Sequence, residues 1–365
     1  MSDSRQVHRA IKQAVKQLYP EEPRGNLARH LETLASMVTG IVLGKSSQLP
    51  KMASKIPGDV HPDSQVKQMS RWVQNEAITF RLYFLPFVRP VLIHLATVRP
   101  LVFIMDGSAV ARGCVTLMVS LIYARRALPV AWLVIEGAKG HFPAQTHVAL
   151  LREVKALVPE TAQVIFLGDG EFDSPELQAE ADGDGWAYVC RTAKNIQICV
   201  TGEWLSLEAL QVKRGKREFR KQVLFTEAAY GPVMVIAWWD AKYDAPIYLV
   251  SNLHSVRAAC DWYRKRAHIE TFFSDQKSRG FHLAHSHLSD PARVMRLMLA
   301  ACFAYLWVIY LGGVAHQDGW TPKIHRWHRC DLSLFQLGLR LLDHLLKNDL
   351  ALPAIFILHP ESVWW

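Results

Sequence analysis

Cysteine is scarce in this chain and shows no pairing pattern. The six cysteines in 365 residues (Cys114, Cys190, Cys199, Cys260, Cys302 and Cys330) form no C-x-x-C and match no zinc spacing. In a chain this long they read as reduced, cytosolic thiols rather than a disulfide framework. A P-loop, a Rossmann glycine fingerprint and an H-E-x-x-H pair are also missing, which removes the common nucleotide-binding and zinc-protease readings. His254, His268, His282, His285 and His287 crowd one stretch. Their spacing suits no zinc site, and phosphate contacts or plain surface positions fit better. Neither an internal repeat nor a low-complexity linker is present. The opening MSDSRQVHRAIKQ has no apolar core, so no secretion signal is expected and a cytoplasmic location is.

Charge is unbalanced toward the positive. There are 42 Lys and Arg against 33 Asp and Glu, a net +9, which favours a polyanionic partner. With 50% hydrophobic and 21% charged residues the composition is globular, and the length suggests two or three domains. One run stands apart: Leu297 to Ala315, nineteen residues without a charge, is long enough to span a bilayer. Its Gly-Gly end and its Cys, Ala and Tyr content suit a buried core helix equally well, and no membrane association is expected.

Residues 1–95 read as helical and basic. Leu27, Leu31, Leu34, Val38 and Val42 recur at helical spacing, with Gly44 as a stop. LPKMASKI and SQVKQMSRWVQNEAITFRLYF follow, a pattern compatible with helix-turn-helix DNA binding or with any small helical domain. From residue 100 the period changes. LVFIMD, ending in Asp106 between Pro100 and Gly107, reads as a buried strand. GCVTLMVSLIYA and PVAWLVIEG are two more strands, with ARRALP as the turn between them. THVALLREVKALV is an amphipathic helix, AQVIFLGD a strand ending in Asp169, and WAYVCRTA a fifth strand. Three strands, a helix and a fourth strand beside the first is the ribonuclease H-like order, an α/β fold. It sets the ends of the first and fourth strands side by side, and each carries an aspartate. A β-like pattern repeats over residues 194–252, and helices follow.

The stretch Tyr263 to Lys277, YRKRAHIETFFSDQK, has no Pro or Gly and reads as one helix. At about 100° per residue, Tyr263, Arg266, Glu270 and Lys277 fall within about 60° of one another. Such a stripe can offer a carboxylate to a metal and cations to phosphates, and the same decoration also suits a solvated helix face. Asp106, Asp169 and Glu270 are thus three carboxylates nominated by position. Phosphodiester transfer needs an activated nucleophile and relief of charge on the leaving oxygen. Two divalent ions about 3.5–4 Å apart supply both, and Mg²⁺ needs only a few carboxylates. Each aspartate precedes a glycine and so also suits a plain turn. Asp173 is a rival to Asp169, although its place before Ser174-Pro175 favours helix capping.

The spacing Y-x2-R-x3-E-x6-K resembles the signature of bacterial insertion-sequence DDE transposases, the insertion-sequence-four family, and the resemblance covers about residues 100–340. It implies a helical N-terminal DNA-binding domain (1–95) and a ribonuclease H-like core in two parts (96–193 and 253–320). A β-rich insertion (194–252) separates them, and a C-terminal helical region (321–365) follows. It implies metal-dependent cut-and-paste transposition with Asp106, Asp169 and Glu270 holding two Mg²⁺ or Mn²⁺ ions. Hydrolytic end cleavage is followed by strand transfer, with no covalent protein–DNA link. The implied partners are terminal inverted repeats and target DNA, bound by a homodimer in a synaptic complex within the bacterial cytoplasm. Tyr263, Arg266 and Lys277 would contact DNA. Tyr248, fifteen residues before Tyr263, would be an aromatic platform for a flipped base, with Trp238 and Trp239 as rivals. One departure is the acid in Asp169-Gly170-Glu171-Phe172, where relatives commonly carry a basic or glycine residue before Phe. A ribonuclease H-fold nuclease without strand transfer and an inactive DNA-binding relative remain open as alternatives.

Overall fold

The computed structural model describes residues 2–19, 21–137, 142–277, 280–326, 330–353 and 356. Among them six helices open the chain: α1 (Asp3–Lys16), α2 (Gly25–Gly44), α3 (Leu49–Ala53), α4 (Pro62–Gln74), α5 (Phe80–Tyr83) and α6 (Leu85–Ala96). In α1, Val7, Ala10, Ile11, Ala14 and Val15 are buried, the stripe that an amphipathic helix turns toward a core.

Three antiparallel strands follow, β1 (Leu101–Ala111), β2 (Cys114–Tyr123) and β3 (Arg126–Glu136). Only Ala124 and Arg125 separate β2 from β3, both at positive φ (45° and 60°). That is the twist of a two-residue hairpin turn, so most of the expected ARRALP turn is strand. Next come α7 (Ala144–Lys155), β4 (Val164–Gly168), α8 (Pro175–Asp182) and β5 (Ala187–Thr192). β4 runs parallel to β1, and β5 parallel to β4. The order β3-β2-β1-β4-β5 is the ribonuclease H-like arrangement. Every residue of β2 is buried, as happens when helices cover both faces of a sheet.

The β-rich stretch forms β6 (Gln197–Val200), β7 (Glu203–Ser206), β8 (Arg217–Phe225), β9 (Tyr230–Trp238) and β10 (Ile247–Ser251). These strands do not make a second sheet. β10 pairs antiparallel with β5, and the whole is one ten-stranded sheet ending β5-β10-β9-β8-β6-β7.

The remaining helices are α9 (Val256–Tyr263), α10 (His268–Lys277), α11 (Pro291–Gln317), α12 (Thr321–Ile324) and α13 (Leu334–Lys347). α10 lies across β1, β2 and β3, while α11 packs on β3, α2, α4 and α13. The charge-free run lies in α11, a 27-residue helix whose most apolar stretch is wholly buried by protein. Core packing therefore accounts for its composition. α11 and α13 cross at two glycines: a Cβ on Gly312 would collide with the carbonyl oxygen of Leu334, and one on Gly338 with that of Val308. The N-terminal helices join the same core. Arg296 Nη1 donates to the Val73 carbonyl at 3.1 Å and the Ser47 hydroxyl to the Phe281 carbonyl at 3.1 Å. The buried apolar residues form one continuous cluster.

Candidate active site

The sheet's register fixes two of the three acids. In the parallel pair, Ile104 of β1 stands against Leu167 of β4. Side chains two residues apart on a strand share a face, so Asp106 and Asp169, each two further on, emerge side by side. Parallel pairing stops there, because β4 ends at Gly168. β1 itself runs on to Ala111 against β2, with Asp106 opposite Met118. Asp106 is therefore mid-strand rather than at the strand end that Gly107 suggests, since an antiparallel neighbour extends the strand past its parallel one. Backbone amides brace both acids. Gly107 N–H donates to Asp106 Oδ1 at 2.8 Å, and Glu171 N–H to Asp169 Oδ1 at 3.1 Å. Glu171, the acid at the departure from the family pattern, accepts from Phe142 N–H at 2.9 Å.

Glu270 arrives from α10, and the route there differs from the single helix expected. α9 stops at Tyr263, Arg264–Ala267 form a 3₁₀ turn, and α10 resumes at His268. A 3₁₀ turn advances about 120° per residue, so the expected common stripe is broken. The cause lies in three consecutive cations with three different partners. Arg264 donates to Asp261 at 2.6 Å and Asp240 at 3.0 Å, and lies 4.7 Å over the Trp238 ring. Lys265 sits 4.3 Å over the Trp262 ring. Arg266 turns to the acids.

Its guanidinium meets all three. Nη1 lies 3.4 Å from Asp169 Oδ2 and 4.0 Å from Asp106 Oδ2, while Nη2 donates to Glu270 Oε1 at 3.0 Å. Burial is graded across the cluster. Asp106 and Arg266 keep 18% exposure and Glu270 63%, so the cluster opens to solvent on the α10 side. Among the described residues, no three His, Cys, Asp or Glu side chains are grouped tightly enough to hold a metal ion. The Arg266 guanidinium lies between these carboxylates. Carboxylates are hard oxygen donors of the kind that suit Mg²⁺ or Mn²⁺. By its chemistry this donor set fits a divalent ion.

Tyr263 is buried, its phenol pushed up to about 12 by desolvation against the opposing pull of Arg266 and Arg191. Lys277 Nζ donates to Ser108 Oγ at 2.6 Å, two residues beyond Asp106 on the same face of β1. Tyr248 stands between Thr192 of β5 and Ala237 of β9. It is largely buried and lines a groove of about 710 Å³ shared with Asp169, Arg191, Lys194 and Glu208. Trp238, the residue after Ala237, faces the other side of the sheet beneath Arg264 and Arg217. Trp239 is half-buried, its indole N–H on the Tyr243 carbonyl. Asp173 keeps to the Thr192 side. Burial raises its carboxyl above the usual range.

One feature escapes the sequence reading above. Residues 213–221, KRGKREFRK, carry six cations and are all exposed at the start of β8, with Phe219 42% exposed and Lys221 5.8 Å over its ring. The charge density of the run is the signal that marks it, and its position inside a β-like segment disguises it as strand decoration.

No curated protein matches this chain. Among solved structures it is similar to the cryo-EM structure of the piggyBac transposase synaptic complex with hairpin DNA. That similarity has a TM-score of 0.49 at 12% identity, covering 96% of this chain and 80% of that one. The family model described as the transposase DDE domain matches residues 100–307, the segment that holds β1, β4, α10 and all three acids. This chain belongs to the transposase DDE domain family.

Proposed function

We propose that the protein is a DNA transposase of the insertion-sequence-four type, with Tyr263, Arg266, Glu270 and Lys277 as its signature residues. It cuts and pastes its element by hydrolytic end cleavage and strand transfer. The observation that carries the reading is the meeting of Asp106, Asp169 and Glu270, from three separate elements, on one guanidinium. Members of the family generally use divalent metal ions. Here the three acids would hold two Mg²⁺ or Mn²⁺ ions, which activate the attacking water or 3′-hydroxyl and neutralise the leaving oxygen. Arg266 and Lys277 would hold phosphates of the transferred strand through charge-assisted bonds. The groove from Asp169 to Tyr248 supports a place for an extruded base, for which aromatic stacking contributes about 1–3 kcal/mol.

DNA ends would be recognised by the helices of residues 1–95. A groove of about 670 Å³ there is lined by Arg29, His30, Arg71, Trp72 and Asn75. The basic run 213–221 suits sequence-independent contacts to the phosphate backbone. Element ends would be paired by a homodimer in the cytoplasm.

The test is nicking of a supercoiled plasmid that carries the DNA flanking the gene, with Mg²⁺ present. The wild type is expected to nick at the element ends. Asp106→Asn, Asp169→Asn and Glu270→Gln are expected to bind the DNA without cutting it. Nicking by all three variants at the wild-type rate would overturn the reading. Cleavage without joining of pre-nicked ends would leave a nuclease instead.

A further inference from the structure

The position of Arg266 sets a condition on metal binding. Its Nη1 lies within 4.0 Å of one oxygen each of Asp106 and Asp169. A Mg²⁺-sized ion binds carboxylate oxygens at about 2.0–2.1 Å. An ion bound to those two oxygens on the side that Arg266 faces would crowd the guanidinium, and two cations repel strongly at such short range. Either the ion or Arg266 occupies the cleft between the aspartates.

Three features make the arginine the one that moves. Its contacts to the aspartates, at 3.4 and 4.0 Å, are longer than its 3.0 Å bond to Glu270, so the aspartate contacts are the weaker ones. Its backbone lies in the 3₁₀ turn Arg264–Ala267 between two α-helices, and short 3₁₀ stretches within helices often mark hinges. Finally, the cluster opens toward solvent at Glu270. A DNA phosphate arriving there offers a guanidinium two parallel, charge-assisted bonds, a better match than two distant single oxygens.

We infer that Arg266 is an internal counter-cation that holds the cleft between Asp106 and Asp169 until a DNA phosphate draws its guanidinium away. Divalent-ion loading is thereby coupled to DNA binding. This rests on the carboxylate site proposed above. By linkage, the factor by which DNA tightens metal binding is also the factor by which metal tightens DNA binding.

The experiment measures Mn²⁺ binding to the full chain by electron paramagnetic resonance, without DNA and with a short duplex bearing a 5′-phosphate. Wild type, Arg266→Gln, Arg266→Lys and Asp106→Asn are compared, and a thermal melt of each with and without Mn²⁺ is recorded. Without DNA, Arg266→Gln is expected to bind Mn²⁺ about tenfold more tightly than wild type, within the usual range of coupling between sites. Its melting temperature should fall, because three carboxylates lose their cation, and Mn²⁺ should restore it. Arg266→Lys keeps the charge without the fork and is expected to fall between the two. It serves in its place should Arg266→Gln not fold. The duplex should tighten Mn²⁺ binding in wild type more than in either variant. Equal or weaker Mn²⁺ binding by the Arg266 variants, with binding lost in Asp106→Asn, would overturn the gate and leave the metal site standing. Absence of Mn²⁺ binding from wild type and Arg266 variants alike, with or without the duplex, would overturn both.

Discussion

Two successive helices lie against the sheet and are held there differently. α11 is fixed by shape: it is buried along its length and meets α13 where Gly312 and Gly338 let backbones touch. α10 buries Ile269, Phe272 and Phe273 and adds charged contacts to that packing. Arg126 of β3 pairs with Asp275 at 3.0 Å, with side chains 14% and 7% exposed. Lys277 reaches Ser108, and Arg266 just ahead of the helix reaches the acids. Close packing tolerates no displacement without loss of contact, whereas charged contacts can exchange one partner for another. The division suits a site in which a rigid frame carries a helix whose groups must change partners when DNA binds.

The contrast can be broken at three points, beginning with the largest effect. Asp275→Ala leaves the Arg126 guanidinium buried without its carboxylate and is expected to cost about 3–5 kcal/mol in urea unfolding. Replacing both residues together, Arg126→Met with Asp275→Leu, should recover most of that loss. Recovery would assign the loss to the stranded guanidinium, and a double variant as unstable as the single one would show that the loss has another source. Gly338→Ala should cost about 3 kcal/mol, at the upper end for overpacking, because the new methyl meets a backbone carbonyl rather than a side chain that can turn aside. An unchanged unfolding midpoint would remove the close crossing. The smallest effect concerns Asp173, a part-buried acid whose carboxyl is pushed up by burial. Its folded pKa is raised. Between the ordinary carboxyl value and the raised one, the folded chain keeps a proton that the unfolded chain has lost. Stability contributed in this way is complete below that window and declines as pH rises through it. Asp173→Asn should flatten the decline in melting temperature against pH, and parallel curves for the two proteins would contradict it.

Much of this was legible in the residues, and the exceptions share a cause. LVFIMD and AQVIFLGD announce β1 and β4 because buried parallel strands are continuous apolar runs. Their pairing then places Asp106 beside Asp169 with no further information. The charge-free run announces α11 for the same reason. Where α10 begins could not be read that way. Periodicity assumes uniform turns, but Arg264 and Arg266 each meet a partner far away in sequence (Asp240 and Asp169) at the tightened turn between the helices. The extension of the sheet through β10 was hidden likewise. Alternation shows that Ile247–Ser251 is a strand, but not that its edge lies on β5.

The central claim is that Asp106, Asp169 and Glu270 serve one divalent-ion site. Replacing Mg²⁺ by Fe²⁺ in the DNA-bound protein, with ascorbate and peroxide, generates hydroxyl radicals at the ion that cut the nearest backbone. Mass mapping of the fragments should show three cuts together, around Asp106 in β1, around Asp169 after β4 and between Arg266 and Glu270, and all three should vanish in Asp106→Asn. Cuts at only one of these segments, or a pattern unchanged by Asp106→Asn, would contradict a shared site.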